Sequence, residues 1–562
     1  MGLTDYADPE FSAFLRKAFI MAMGYSEDAL SRPIVGITNT YSDFNPCHGN
    51  VPQMIEAVKR GVMLAGGLPM VFPTITLHES FVHPTSMYLR NLMAMDTEEM
   101  VRSLPVDSVV VIGGCDKTLP AQIMAIASVD RPAIVLPVGP MLTGFHKGER
   151  LGACTDCRRL WGKYRAGEID ADEIEMVNGS LAPTVGTCSV MGTASTMAGL
   201  CEVLGLSLPY SGSIPAVQAD RIRCAEQTGK RAVELISEGL VPRDILTPAA
   251  FHNAAVALQA MGGSTNAVIH LAAIAGRVGM PFDYEELDRL GREIPVLVDL
   301  KPSGTHYMED FHNAGGFPAL FAEVRRFLDL SAKTVASQPL EALLDTLQPS
   351  EWSRKIVRSI DSPVKDSGAM AVIGGNLAPD GALLKQSAAT PALMRHEGRA
   401  VVFENVADLS ARIDSPDLDV TADDVLVLRN SGPRGAPGMP ETGYVPIPAK
   451  LAKAGVKDMV RISDARMSGT AFGTIVLHIA PEAAVGGPLA LVRTGDRIRL
   501  DVEARSLDLL VTPEVLAARR AEWTPPPKPA VQRRGYAHLF TNSVTQANLG
   551  CDFDFLAQAP EG

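Results

Sequence analysis

From Pro33 to about Leu208, short apolar runs alternate with Gly- or Pro-bearing loops and then with stretches of helical spacing. Ser108–Ile112 and Ala133–Leu136 have the length and composition of strands buried on both faces, whereas Val51–Ala65 and Pro120–Ser128 carry apolar residues at helical intervals. Parallel neighbours in a sheet need a crossover, and a helix is the usual one. The alternation therefore predicts an α/β fold whose N-terminal domain has a mainly parallel sheet. In such folds the loops that follow strands build the sites.

The pattern changes twice more. Pro215 to Leu347 reads as mostly helical, with one glycine-rich interruption at Met261–Asn266. After Ser362 short β-type runs dominate: Ala369–Ile373, Ala400–Phe403, Val425–Leu428, Gly473–Ile479, Leu489–Val492 and Arg497–Asp501. The expected organisation is an N-terminal α/β domain over residues 1–361 and a C-terminal β-barrel-like domain over 362–562. Glu522–Arg534, rich in Pro, Lys and Arg, reads as an exposed strap, and Ser543–Leu556 regains apolar residues and reads as ordered.

Composition excludes some functions. A net charge of −13 argues against a general nucleic-acid binder, which needs clustered Lys and Arg. The N-terminus carries acids early and lacks the basic and apolar regions of a signal peptide. The longest apolar stretches, such as Pro132–Leu142, are too short to span a bilayer. The expectation is a soluble, cytoplasmic protein with no membrane partner. Eight cysteines in 562 residues are too sparse for a disulfide scaffold, so each is a packing residue or a metal or redox residue.

Three cysteines share one context. Cys115 follows a buried strand in Gly113-Gly-Cys-Asp-Lys117. Cys47 lies in Asn45-Pro-Cys-His-Gly-Asn50, and Cys188 in Gly186-Thr-Cys-Ser-Val-Met-Gly192. Each is a loop leading to a helix, where the helix N-terminus favours thiolate. Singly, each fits a core cysteine; together they favour one shared site. Cys154-Thr-Asp-Cys157 has the more compact spacing, but no second Cys-x-x-Cys completes a four-cysteine zinc site, and the reading sets the pair aside. Cys201, Cys224 and Cys551 are assigned to packing.

Oxygen ligands come from elsewhere. Glu79 ends an apolar pattern in Thr76-Leu-His-Glu-Ser80, and Glu441 lies in the Gly- and Pro-rich loop Pro437–Gly443. With Asp116 they could form an oxygen-rich site for Mg²⁺; singly, each fits a solvated loop acid. In Met261-Gly-Gly-Ser-Thr-Asn266, Ser264 or Thr265 could cap the next helix or its free N–H groups could hold an anion. Ser463-Asp-Ala-Arg-Met-Ser-Gly469 places Ser468 in a loop before a strand, with no nucleophile elbow around it.

In that order, these motifs resemble the dihydroxy-acid dehydratase and phosphogluconate dehydratase family along nearly the whole chain. The resemblance implies a 2Fe–2S cluster on Cys47, Cys115 and Cys188, although three cysteines would equally suit a four-iron cluster with one open iron. It implies Mg²⁺ on Glu79, Asp116 and Glu441, with Lys117 as a carbamylated ligand, and Ser468 as the catalytic base. Ser264, Thr265 and Arg466, inside two of the motifs, are read as substrate-binding. Branched-chain biosynthetic members usually carry Ser-Asp-Gly where this chain has His78-Glu79-Ser80, and commonly an aromatic residue at Met467. The stretch Leu77–Met87 and the ending Thr545–Phe555 are similar to the sugar-acid branch instead.

The expected activity is therefore dehydration of an aldonic acid to a 2-keto-3-deoxy acid by a homodimer or homotetramer whose partner is a small polyhydroxy acid. The alternatives are dehydration of the branched dihydroxy acid in valine and isoleucine synthesis, and dehydration of a phosphogluconate, which calls for basic phosphate-binding residues not located in the sequence. A third, from another class, is a non-catalytic iron–sulfur redox or sensor protein, which has no use for Glu79, Asp116, Glu441 and Ser468 together.

Overall fold

The computed structural model describes residues 8–527 and 533–557. Four apolar runs form β1 (Ile34–Asn39), β2 (Leu68–Pro73), β3 (Ser108–Gly113) and β4 (Ala133–Pro137). They pair in parallel, in the order β2-β1-β3-β4. Every residue of β3 and β4 is buried, which is why their sequences are unbroken apolar runs.

Helices α1 (Pro9–Ala22), α2 (Val51–Leu64), α3 (Ser86–Ser103) and α4 (Thr118–Ala127) alternate with these strands. A small hairpin, β5 (Gly144–His146) and β6 (Glu149–Leu151), follows, then α5 (Thr155–Ala166), α6 (Ala171–Asn178), α7 (Thr193–Val203), α8 (Ala219–Glu238), α9 (Pro242–Ile245), α10 (Pro248–Ala260) and α11 (Thr265–Arg277). The α10–α11 break falls at the glycine-rich interruption read from the sequence. Helices α2 and α8 pack together against the sheet, while α4, backed by α3, α7 and α11, packs on β3 and β4. The chain steps outward from β1 to β2, then returns to the other side of β1 for β3. The crevice of such a sheet lies at that reversal, over the C-terminal ends of β1 and β3.

The later strands are β7 (Ala371–Ile373), β8 (Ala382–Leu384), β9 (Arg395–Phe403), β10 (Val425–Leu428), β11 (Arg461–Ser463), β12 (Ile475–Leu477), β13 (Arg497–Asp501) and β14 (Ser506–Leu509). They form one mixed sheet, ordered β14-β13-β9-β10-β11-β12-β8-β7, with β9 to β12 parallel. A bridge between Gly374 and Ser506 joins its two ends: Gly374 N donates to Arg505 O at 2.9 Å and Leu507 N to Gly374 O at 2.9 Å. The sheet is thus a nearly closed barrel. Its strands alternate as a barrel requires. Ala400, Val402, Val425 and Val427 join one apolar cluster, and Val401, Phe403, Leu426 and Leu428 join another.

Leu489–Val492, expected as a strand, is instead a single 3₁₀ turn over Pro488–Leu491. Four apolar residues carry too little period to separate the two, and Pro488 supplies a preset helical φ at the first position. The segment Val544–Phe553 is ordered and returns to the N-terminal helices. There Arg90 donates to the carbonyls of Gly550 and Cys551 at 2.8 and 2.9 Å, and Arg277 pairs with Asp552 at 2.5 Å. Of the expected strap, residues 528–532 lie outside the described residues, and the residues just before them are largely exposed. The N-terminal residues 1–7 also lie outside them. Among the described residues, no helix is long and apolar enough to cross a membrane.

Candidate functional site

Cys47 sits in a 3₁₀ turn (Pro46–His48) after β1, and Cys115 directly follows β3. Both are buried over the sheet's reversal point, and their sulfurs and a ring nitrogen of His78 lie within 4.8 Å of one another. His48 fixes the two loops. Its Nδ1–H donates to Thr40 O at 2.8 Å, while its Nε2 accepts from Gly114 N at 3.1 Å and Cys115 N at 3.0 Å. Burial holds this ring neutral, with its pKa lowered to about 4. A neutral imidazole has the one donor and one acceptor these groups need. Gly114 is required for packing, since a Cβ there would lie 1.9 Å from the Val138 side chain.

Cys188 is held by the loop after β4: Thr187 N donates to Gly139 O at 2.9 Å and Met141 N to Thr187 O at 2.8 Å. Hydrogen bonding to Cys115, then burial, push the Cys47 thiol up; hydrogen bonding to Cys154, then burial, do the same for Cys188. These groups are thiols, and a cation that binds them displaces their protons. The expected thiolate stabilisation by helix N-termini is not what the structure provides for them. The cysteine at a helix N-cap position is Cys154, at the start of α5, with no capping bond from its side chain.

The carboxylates converge from three loops. Glu79, after β2, accepts from Thr85 Oγ1 at 2.7 Å and from the hydroxyl and N–H of Ser86, at the N-terminus of α3. Glu441 comes from the barrel loop after β10. Lys117 is fully buried, with Nζ paired to Asp116 and 3.9 Å from Glu441 Oε1. Arg466, after β11, binds Glu441 Oε1 at 2.5 Å and Thr85 Oγ1 at 2.7 Å, and lies 3.4 Å from both Glu79 oxygens.

Burial alone would raise Glu79, but Arg466, Lys117 and the two hydroxyls outweigh it and hold its pKa at about 2. Burial wins at Glu441, whose pKa is raised with Glu79 alongside. Three carboxylates against two cations leave an excess negative charge, and hard oxygen donors of this kind suit a divalent cation. Thr265 Oγ1, Asn266 Oδ1 and Arg466 Nε are buried beside them without partners. The donor sets therefore fit both groups the sequence implies: soft thiols on one side and hard oxygens on the other.

Ser264 caps α11, accepting from Asn266 N at 3.2 Å, and lies 2.8 Å from Thr193 Oγ1. The serine loop is seated on this cap. Asn266 Nδ2 donates to Met467 O at 3.0 Å, and a Cβ on Gly469 would meet Ser264 Oγ at 2.6 Å. Ser468 is half-buried, with Oγ 2.8 Å from Thr470 Oγ1. Lys385 Nζ, its pKa lowered to about 7 by burial, donates to Gly469 O at 3.3 Å.

Sequence reasoning missed His48, His78, Asn266 and Lys385, and set aside Cys154, whose Sγ lies 3.5 Å from Cys188 Sγ. Thr155, next to it, donates to Thr470 O at 3.1 Å, so this segment touches both the thiols and the serine loop. Its only signal was the compact spacing with Cys157. Cys201, Cys224 and Cys551 are buried in apolar clusters, as expected.

Residues 32–343 match the family described as dihydroxy-acid/6-phosphogluconate dehydratase, N-terminal, and residues 355–551 its C-terminal counterpart. The chain is 46% identical over 555 residues to the 6-deoxy-6-sulfo-D-gluconate dehydratase of Pseudomonas putida, covering 98% of this chain and 95% of that protein. It is 47% identical over 551 residues to the L-arabonate dehydratase of Azospirillum brasilense, covering 97% and 94%. The dihydroxy-acid dehydratase of Pyrococcus abyssi is further away, at 38% over 549 residues, covering 96% and 97%.

Proposed function

Because this chain belongs to the dihydroxy-acid/6-phosphogluconate dehydratase family, and is thus a hydro-lyase, we propose that it dehydrates an aldonic acid to a 2-keto-3-deoxy acid. The observation that carries the proposal is the convergence of Glu79, Asp116, Lys117 and Glu441 beside the Cys47–Cys115 thiols and under the Ser468 loop. The two relatives named for sugar acids, at 46% and 47% identity against 38% for one named for a dihydroxy acid, support the substrate class.

In this reading Cys47, Cys115 and Cys188 hold an iron–sulfur cluster, two-iron in type. Glu79, Asp116 and Glu441 hold Mg²⁺, with Lys117 as a carbamate. When bound, these groups supply Lewis acidity toward the leaving 3-hydroxyl and toward the substrate carboxylate and 2-hydroxyl. The chain's own residues supply the rest. Ser468 Oγ, as alkoxide, takes the C2 proton; the C–H electrons form the C2=C3 bond as the C3–O bond breaks, and Ser468 passes the same proton to the leaving hydroxide, which departs as water and restores the alkoxide. The resulting enol tautomerises to the 2-keto acid. A serine is a weak base until its proton is lost, and Thr470 Oγ1 is placed to donate to the alkoxide. Arg466 orients Glu79 and Glu441 from the far side and keeps both carboxylates from crowding each other. A homodimer or homotetramer in the cytoplasm completes the proposal.

The test is an assay of anaerobically prepared enzyme against a panel of aldonic acids, sulfogluconate and 2,3-dihydroxy-3-methylbutanoate, read as 2-keto acid formation. Turnover of an aldonic acid is expected; turnover of the branched acid alone would overturn the substrate class. Ser468→Ala should lower kcat by on the order of 10²–10⁴-fold while leaving the visible absorption of the cluster unchanged. Full activity in that variant would remove Ser468 from the chemistry.

A further inference from the structure

The thiols at the site come in two close pairs. Cys47 and Cys115 form one, sharing a hydrogen bond within the group that includes His78. Cys154 and Cys188 form the other, with their sulfurs 3.5 Å apart. Two thiolates on one tetrahedral metal, with bonds of about 2.3 Å, sit about 3.8 Å apart, so the second pair has nearly the spacing of two ligands on one ion.

Cys154 is held in place from both sides. Thr155 Oγ1 donates to Thr470 O at 3.1 Å. Asp156, fully buried, accepts from Gly152 N at 2.9 Å, Lys301 Nζ at 2.9 Å and Tyr307 Oη at 2.9 Å. Cys157, three residues further along the chain and in the first turn of α5, is hydrogen-bonded to Cys154 and offers it a second partner.

We infer that Cys154 is a fourth, exchangeable ligand of the cluster. It binds the iron that Cys188 holds when substrate is absent, and turns back to Cys157 when substrate takes that position. Ligation exchanges the hydrogen bond between Cys154 and Cys157 for a bond from the Cys154 sulfur to iron, and return reverses it; no electron is transferred. The inference rests on the cluster of the proposed function.

The experiment uses the full chain, anaerobically reconstituted with iron and sulfide. Iron and acid-labile sulfide are measured, then the electron paramagnetic resonance of the reduced cluster, with and without an aldonic acid, in wild type, Cys154→Ala and Cys154→Ser. The serine variant keeps the side-chain volume should alanine impair folding. The expected result is equal iron and sulfide in all three proteins, with g values shifted in the variants relative to substrate-free wild type. Substrate should shift wild type toward the spectrum of Cys154→Ala. Loaded proteins with coincident substrate-free spectra overturn the inference alone. Wild-type protein that takes up no iron or sulfide removes the cluster, and this inference with it.

Discussion

At the ends of β1 and β3 the site loops are tied by neutral groups. His48 spans three backbone atoms, Asn45 Nδ2 donates to Leu77 O at 3.0 Å, and Asn50 Nδ2 donates to Val138 O and Ala216 O, each at 3.0 Å. At the ends of β10 and β11 the loops are tied by charge. Arg466 bridges Glu441 and Glu79, and the buried Asp464 accepts from Ser431 N and Ala483 N, each at 2.9 Å. Apart from the Lys117–Asp116 pair beside Cys115, the soft-ligand half is thus a frame whose ties do not depend on ionisation. The hard-ligand half holds its shape only while its ions balance. A cation entering the second half changes that balance, whereas one entering the first replaces protons on a fixed scaffold.

Arg466→Met is the sharpest way to break the comparison. It leaves Glu441 and Glu79 buried without their shared partner, and removing one member of a buried pair costs about 3–5 kcal/mol. Urea unfolding should show a loss of that size, with activity abolished. A stability near wild type would mean the barrel loops do not depend on charge.

In the neutral half the loss comes from hydrogen bonds rather than from charge, at a comparable size. His48→Leu strands the N–H groups of Gly114 and Cys115, at about 1–3 kcal/mol for each buried group left unsatisfied. Lower stability and weaker iron retention are expected, with the Mg²⁺ requirement for activity unchanged. Unaltered iron retention would mean that this clamp does not set the Cys115 loop.

The smallest effect is a pH slope. Burial, with Arg466 nearby, holds His478 neutral, its pKa lowered to about 3. The unfolded chain takes up a proton here below the ordinary histidine pKa of about 6.5, while the native protein does not until far lower. Stability contributed by this site is therefore full above that value and lost as pH falls toward 3, at no more than about 1.4 kcal/mol per pH unit. His478→Gln should flatten the fall in urea midpoint between pH 7 and 5. An identical slope in both proteins would assign the loss to other groups.

The parallel sheet was legible because β3 and β4 are buried on both faces and so are apolar throughout. The thiol loops were legible for the same reason: each follows such a run or precedes a plain helical pattern. The barrel was read as β-rich, but β14, whose Leu507 and Leu509 alternate with polar residues, is too short for its period to stand out, and the turn at Pro488–Leu491 passed for a strand. Cys154 was set aside for want of a second Cys-x-x-Cys; the sulfur it meets, that of Cys188, is 34 residues away, and no local pattern records which loops a sheet brings together. Arg466 was read as a substrate ligand, and the structure adds that it sits between carboxylates of both halves; a single arginine in a loop carries no mark of how many acids it will meet.

The split of the site between two halves also orders its making. Roughly 280 residues separate Cys188 from Ser468, so at about 5–20 residues per second the ribosome delivers the thiols ~14–56 s before the serine. By then the four-stranded sheet and the loops that carry the sulfurs have been synthesised. Glu441 and Ser468 have not, so the nascent chain presents all three thiols together with Glu79 and Asp116 before the barrel completes the oxygen set and delivers the serine.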